Sequence, residues 1–366
     1  MYTWQREEWP DFTWVNNELS PLLAQAHREQ GRLHGKLETM GFETQDETTL
    51  QTLTEDVVKS SEIEGEKLSS DQVRSSIARR LGMDIGGLVA ADRHVEGVVE
   101  MMLDATQNYA SPLTEERLFG WHAALFPTGR SGIRYIMVGH WRLGGSDPMQ
   151  VVSGSGRRER IHFEAPPAAR IPAEMERFLR WFNDPGDMDP LLIAGLAHIW
   201  YITIHPFEDG NGRIARAIAD MALTRGENSP QRSYSMSAQI RRELNDYYDM
   251  LEATQKDTLD ITSWQKWFLR CLNHAFDNAH ERLAVALRKA RFWERFAREP
   301  LNERQIKVLH RVMDNWQGKL TSSKWAKIAK CSQDTAGRDI NDLIKRGALS
   351  KDPGGGRSTS YSIVFE

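Results

Sequence analysis

The most apolar run of the chain is LLIAGLAHIWYITI at 191–204, which reads as a helix, carries His198 and is too short to cross a bilayer. It leads straight into HPFEDGNGRIAR, His205 to Arg216, where a histidine, an acidic pair, two glycines around an asparagine and two arginines share twelve residues. Helical text dominates elsewhere. Few breakers and apolar residues at helical spacing mark 16–41, 47–82 and 90–108, a helix from Thr114, one from Ile171 to Trp181, and segments near 214–225, 237–255 and 261–296. After Pro127 the chain turns glycine-dense, and MQVVSG and RERIHFE read as two arms of an irregular hairpin. Beyond Pro300, three short helices and the glycine-tipped hairpin LSKDPGGGRSTSYSIVF have the outline of a winged helix-turn-helix. The expected fold is mainly α: a helical core with a small β-hairpin, then a winged helix-turn-helix domain. Its expected divisions are 1–110, 111–298 and 300–366.

Composition narrows the function classes. With 366 residues, 40% hydrophobic and 27% charged, the chain has ordinary globular balance and room for two or three domains. A net charge of −4 predicts no general attraction to nucleic acid. Cys271 and Cys331 give neither a disulfide framework nor a zinc ligand set. The start, MYTWQREEWPDFTW, lacks a signal-peptide pattern. A soluble cytoplasmic protein without a membrane anchor is expected.

The chemistry lies in 205–216. Glycines flanking Asn211 let a ligand approach the backbone, and a helix starting near Gly212 would add unpaired N–H groups and its positive dipole end to an anion site. Arg213 and Arg216, three residues apart, can both fork onto phosphate oxygens. Asp209 offers a hard oxygen suited to Mg²⁺ on a polyphosphate, and His205 is the side chain suited to general-base work near neutrality. A metal hydrolase using His198, His205 and Asp209 is the rival, without an obvious further ligand set. No GxxxxGK[ST] is present, which argues against a P-loop nucleotidase.

HPFEDGNGRIAR resembles the Fic-domain signature HxFx[DE]GNGRxxR at every specified position. The resemblance extends to SSEIEG, to MQVVSG and RERIHFEAPP before the core, and to RRELNDYYDMLE and LDITSWQKWF after it. It implies a Fic-type helical core that transfers AMP from ATP to a protein hydroxyl. His205 would deprotonate that hydroxyl, Asp209 would hold Mg²⁺, Gly210, Asn211 and Gly212 would form the anion hole, and Arg213 and Arg216 would bind phosphates. Pro206 and Phe207 would pack, and Glu208 would be exposed. Glycine at 212 favours nucleotidyl over phosphoryl transfer. Of Tyr247 and Tyr248, one would pack and the other would face the base.

SSEIEG is similar to the family's inhibitory pattern [ST]xxxE[GN] as Ser60, Glu64 and Gly65. The resemblance implies that Glu64 pairs with Arg216 and blocks a productive γ-phosphate position. Without the core motif, Glu62, Glu64 and Glu66 would read as a solvated acidic face. Segment 148–164 looks like the flap that clamps a target protein by adding to a β-edge, and self-modification is plausible. From Pro300 onward twelve basic residues face seven acidic ones, a net of +5, so DNA binding is weighed, with 332–346 as recognition helix and Gly354–Gly356 as wing. That helix mixes Asp334, Asp339 and Asp342 with Arg338, Lys345 and Arg346, equally typical of protein contact. A homo-oligomer stays open. Two rival readings remain: a hydrolase that removes AMP using Glu64, and a nucleotide-sensing DNA-binding regulator.

Overall fold

The computed structural model describes residues 1–145, 148–153, 160–298, 300–315, 318–353 and 359–365. Before the first long helix, the tryptophans expected to lead the chain are put to use. Trp4 Nε1 donates to the Glu164 carbonyl at 2.7 Å, and Trp9 Nε1 donates to Glu174 Oε2 at 2.8 Å, so a polar handle fixes each buried indole. Helices α1 (Asn16–Glu38), α2 (Phe42–Ile63), α3 (Ser70–Leu81), α4 (Arg93–Gln107) and α5 (Glu115–Leu125) follow. Ser69, Asp92 and Thr114 cap the starts of α3, α4 and α5 with their side-chain oxygens.

The stretch 47–82, expected as one helix, is two. Glu64 ends α2 as its C-cap, and Gly65 takes φ +80°, a left-handed turn that glycine adopts without a Cβ penalty. Ser69 then restarts the chain as α3. This break delivers Glu64 and Glu66 into a turn rather than along a helix flank.

Two short hairpins follow: β1 (Arg130–Ser131) with β2 (Arg134–Tyr135), and β3 (Gln150–Ser153) with β4 (Arg160–Glu164). In the second, Gln150 pairs with Glu164 and Ser153 with Arg160, with a register shift between Val151 and Val152. Phe163 is buried while its cross-strand partner Val151, and Val152 and Ile161 beyond the register shift, are exposed. The expected connection around residues 154–159 lies outside the described residues.

Helices α6 (Ile171–Asn183), α7 (Pro190–Ile204), α8 (Asn211–Glu227), α9 (Met236–Arg242), α10 (Leu244–Gln255) and α11 (Thr262–Arg295) complete the larger part. The apolar run is α7, opened by Pro190 at its first position and by Asp189 accepting from the Leu191 N–H. All its residues from Leu191 to Ile204 except Ile193 are buried, and α8 is its principal packing partner. The stretch 237–255, expected as one helix, breaks at Glu243, whose φ −104° and ψ 32° leave the helical region. Among the described residues, no helix is long and apolar enough to cross a membrane.

The chain separates into two compact units, Met1–His280 and Glu281–Glu366. The division falls inside α11, earlier than the boundary expected at Pro300. Phe292 and Phe296 account for it, because both belong to the second unit's core with Val308, Leu309, Trp325, Ile340 and Leu343. That unit contains α12 (Glu303–Asn315), β5 (Leu320–Thr321), α13 (Ser322–Ala329), α14 (Gln333–Lys345), β6 (Leu349–Lys351) and β7 (Ser360–Ile363), with an antiparallel sheet ordered β5-β7-β6. Asp339 on α14 is buried and accepts hydrogen bonds from Asn302 and Arg304, so this acid serves the unit's own packing. The hairpin tip at Gly354–Gly356 lies outside the described residues. Ending the chain after His280 should therefore give more soluble, cooperatively melting protein than ending it at residue 298, which strands Phe292 and Phe296 in water. Size-exclusion profiles and thermal melts of the two truncations check this, and equal or better behaviour of the longer one would contradict it.

Candidate active site

His205 is the C-cap of α7 and sits at φ 52°, ψ 59°, a left-handed conformation that non-glycine residues rarely adopt. Its Nδ1 lies 3.3 Å from the Ile202 carbonyl. A proton on Nδ1 satisfies that carbonyl and leaves Nε2 as the basic nitrogen. Burial pushes the His205 pKa down to about 4. The Ile202 carbonyl opposes this, the Arg142 cation adds to it, and the Asp209 and Glu64 carboxylates oppose it. His205 is therefore neutral and able to accept a proton across the physiological range.

The loop after it is internally braced. Asn211 Oδ1 accepts from the Phe207 N–H at 3.0 Å, and Asn211 Nδ2 donates to the Phe207 carbonyl at 2.8 Å. The Asn211 side chain thus closes the loop, and only its backbone is left for an anion. Pro206 and Phe207 are buried, and the Phe207 ring stacks on His122 with centroids 4.1 Å apart. Glu208, expected to be exposed, is half-buried with Arg134 at 3.7 Å, because the β1–β2 hairpin stands beside the loop. Gly210 takes φ +81°, and a Cβ there would meet the Phe126 ring at 2.9 Å. Helix α8 begins at Asn211, so its first N–H groups lack partners within the helix.

Both motif arginines are buried, and both are held by the turn that ends α2. Arg216 Nη2 donates to Glu64 Oε1 at 2.7 Å and to the Ser60 carbonyl at 2.9 Å, and its Nε donates to Ser60 Oγ at 2.9 Å. Arg213 Nη1 donates to Glu66 Oε2 at 2.7 Å, and its guanidinium lies 5.1 Å from the Phe126 ring centroid. Arg213 Nε and Arg216 Nη1 are buried without a hydrogen-bond partner. A Cβ on Gly212 would fall 2.2 Å from Glu64 Oε1, so the Glu64 carboxylate fills the room directly in front of this glycine. Gly65 supplies the left-handed turn that lets Glu64 and Glu66 reach two different arginines.

Asp209 accepts from the Gly210 N–H and from Ser131 Oγ on β1. Among the described residues, no group of three or more His, Cys, Asp or Glu side chains is arranged to hold a metal ion. His198, weighed as a ligand, instead hydrogen-bonds the Tyr247 hydroxyl through Nε2 at 2.9 Å, and burial lowers its pKa to about 3. A single carboxylate does suit Mg²⁺ that arrives on a polyphosphate and takes its other ligands from phosphate and water. Tyr247 is the packed member of its pair, whereas Tyr248 is 44% exposed and donates to the Ile63 carbonyl at 3.0 Å, steadying the end of α2.

Sequence reading did not single out Glu66 as an arginine partner, nor Ser131, His122 or Arg142. Glu66 had a signal in its spacing from Glu64 across a glycine. Ser131 and Arg142 lie in text without helical periodicity and His122 lies on a helix remote in sequence, so only the fold carries the three to the loop.

Residues 112–223 match the family model "Fic/DOC family". Over these residues the chain is similar to the Fic/DOC family. Residues 2–83 match a second model, DUF4172, a domain of unknown function. The chain is similar to a "Protein adenylyltransferase Fic" of Drosophila ananassae, 27% identical over 221 residues that cover 59% of this chain and 39% of the relative. It is also similar to one of Nematostella vectensis, 30% identical over 142 residues that cover 37% of this chain and 30% of the relative. It thus spans well under half the length of these curated relatives. Among solved structures, a Fic family protein from Desulfovibrio desulfuricans G20 shares the fold with a TM-score of 0.55 at 20% identity, covering 96% of this chain and 97% of the other. A Fic domain containing signaling protein from Bacteroides thetaiotaomicron does so with a TM-score of 0.50 at 22% identity, over 74% and 96%.

The Fic/DOC core keeps three histidines neutral by burial: His198 at about 3, and His122 and His205 at about 4. Unfolded, each would take up a proton below about 6.5. The unfolded chain therefore binds more protons between about pH 6.5 and 4, and stability falls as pH falls through that window. Asp56 and Glu227, whose carboxyls burial pushes up, and His94, raised by the Glu66 hydrogen bond, work in the opposite sense, while His280, lowered by burial, joins the three. Calorimetric melts should show the midpoint dropping from pH 7 to pH 5, and a level or rising midpoint would contradict the neutral assignment.

Proposed function

We propose that this chain transfers AMP from ATP to a hydroxyl side chain of a target protein and is held back by Glu64. The reading rests on one arrangement: a neutral histidine with a free Nε2 beside a helix N-terminus that two buried arginines make strongly positive. Such a site favours a polyphosphate and offers a base to an incoming hydroxyl. The hydroxyl oxygen forms a bond to the α-phosphorus, the bond from that phosphorus to the bridging oxygen of the β-phosphate breaks, pyrophosphate leaves, and His205 Nε2 receives the proton. Asp209, oriented by Ser131, would hold Mg²⁺, which neutralises charge on the phosphates when bound. Arg213, Arg216 and the N–H groups at Asn211–Arg213 orient the phosphates. The exposed apolar side chains of the β3–β4 hairpin, Val151, Val152 and Ile161, suit an extended segment of the target. Relatives that carry the name protein adenylyltransferase support the same chemistry.

Incubation with α-labelled or γ-labelled ATP in parallel tests it. Label from the α-position alone is expected on a target protein or on the chain itself. His205→Ala should lower that transfer by about 10²–10⁴-fold, the usual contribution of a general base. Label from the γ-position, or a His205→Ala rate within about twofold of wild type, would sink the assignment.

Regulation follows from the same contacts. Glu64 holds Arg216 and stands over Gly212, where a phosphate needs both the guanidinium and the space. Glu66 does the same to Arg213. A pair that removes about 1–3 kcal/mol of productive binding suppresses activity about 5–150-fold. Glu64→Gly should raise AMP transfer by a factor in that range, and adding Glu66→Gln should raise it further. Arg216→Ala should stay low, because the arginine also serves the substrate. If Glu64→Gly transfers no more AMP than wild type but loses the ability to strip AMP from a modified target, the chain is a de-AMPylating hydrolase with Glu64 placing the water.

A further inference from the structure

Arg142 lies in the irregular stretch between β2 and β3, and only 6% of it is exposed. Its Nε donates to the His205 carbonyl at 2.8 Å and its Nη2 to the Pro166 carbonyl at 2.5 Å. Its own backbone N–H donates to the Pro206 carbonyl at 2.9 Å. One residue thereby grips the catalytic turn twice and ties it to the chain leaving β4. Burial lowers the Arg142 pKa to about 10, so the guanidinium stays charged at neutral pH. Among the described residues no carboxylate pairs with it. A buried cation without a counter-ion is costly, and an apolar side chain of similar size would be cheaper if only packing were required.

The His205 backbone explains the need. At φ 52° it turns the chain sharply between α7 and the loop, and its carbonyl has no helical N–H to meet. Without a donor at that carbonyl the turn can relax, and the imidazole moves with it. The charged groups that act on the ring are Arg142 from the irregular stretch, Asp209 from the loop and Glu64 from the end of α2. Of these, Arg142 alone favours the neutral ring.

We propose that Arg142 is a positioning residue for the transfer reaction, fixing the left-handed turn that presents His205 and locking it to the exit of the β3–β4 hairpin at Pro166. The proposal rests on the AMP-transfer reading above. Catalysis is sensitive to such placement: a shift of about 1 Å in a reacting group can cost about 10²-fold.

The test compares Arg142→Gln and Arg142→Lys, both in the Glu64→Gly background so that inhibition does not mask the rate. Three quantities are measured: the titration of His205 by ring NMR shifts, kcat and KM for α-labelled ATP across pH 5–8, and the melting midpoint. Arg142→Gln should raise the His205 titration point, move the acid limb of kcat upward with it, and lower kcat at pH 7 by about 10–100-fold. KM for ATP should change by less than about threefold, since no phosphate contact is removed. Arg142→Lys keeps the charge but cannot grip two carbonyls with a rigid fork, so it should restore the low titration point while kcat stays reduced. An unchanged His205 titration in Arg142→Gln, or a kcat loss matched by KM and by unfolding, overturns the proposal. Should the Glu64→Gly parent transfer no α-label at all, the AMP-transfer reading falls, and the NMR titration still decides whether Arg142 governs His205.

Discussion

Two guanidinium groups buried at the first turns of α8 set the terms for everything around them. Arg213 and Arg216 are 1% and 2% exposed, and the helix end they flank is itself positive. A charge withdrawn from water this completely must be met by negative charge or by strong acceptors. Glu64, Glu66 and Ser60 meet it here, all from the end of α2 and the turn that follows. A polyphosphate would satisfy the same donors. On the AMP-transfer reading, carboxylate and phosphate would compete for the same space in front of Gly212.

How α2 is held decides what has to move for that exchange. Its middle is anchored deep in the core: Asp56 accepts from Ser235 Oγ and from the Ser237 N–H, and Ser60 is fully buried against Arg216. Tyr248 secures the Ile63 carbonyl. The Glu64 side chain, in contrast, is 33% exposed and the Glu66 side chain 37%. Both carboxylates lie at the ends of flexible stems after the helix has finished. On the proposed reading, release would call for side-chain rotation, with Ser60 still in place to hold Arg216 Nε. Glu66 carries a further tie to His94 at 3.1 Å. Burial raises the Glu66 pKa, but the His94 hydrogen bond and the Arg213 charge outweigh it and leave it lowered.

The legible part of this site was the part written contiguously. His205 to Arg216 encodes a base, a carboxylate, a glycine-flanked turn and two arginines in one short stretch. The i, i+4 relation of Ser60 to Glu64 survives as a shared grip on Arg216, because Glu64 is the C-cap directly after the last turn of α2, which carries Ser60. Less legible was the punctuation. The stretch 47–82 reads as one helix, although Gly65 breaks it and Ser69, four residues later, is the N-cap that restarts the chain. The two compact units divide after His280 rather than at Pro300 for a related reason. Proline marks where a helix cannot continue, whereas a unit ends where its apolar contacts end, and Phe292 and Phe296 pack forward in sequence. Arg142 and Ser131 were invisible in principle, since a lone polar residue in glycine-rich text carries no period and gains a role only through neighbours distant in sequence.

His205 brings the electrostatics together. With a pKa near 4 it is always ready to accept a proton but is a weak base, because efficiency follows the match between basicity and operating pH. That value belongs to a ring that is buried, close to the Arg142 cation and only partly compensated by Asp209 and Glu64. A bound triphosphate would replace one carboxylate charge with several phosphate charges on the same side of the ring. Negative charge placed nearby favours imidazolium, so the base would strengthen as its substrate arrives. On the proposed AMP-transfer reading, swinging Glu64 aside would remove a charge that supports His205, and the phosphates would supply it instead.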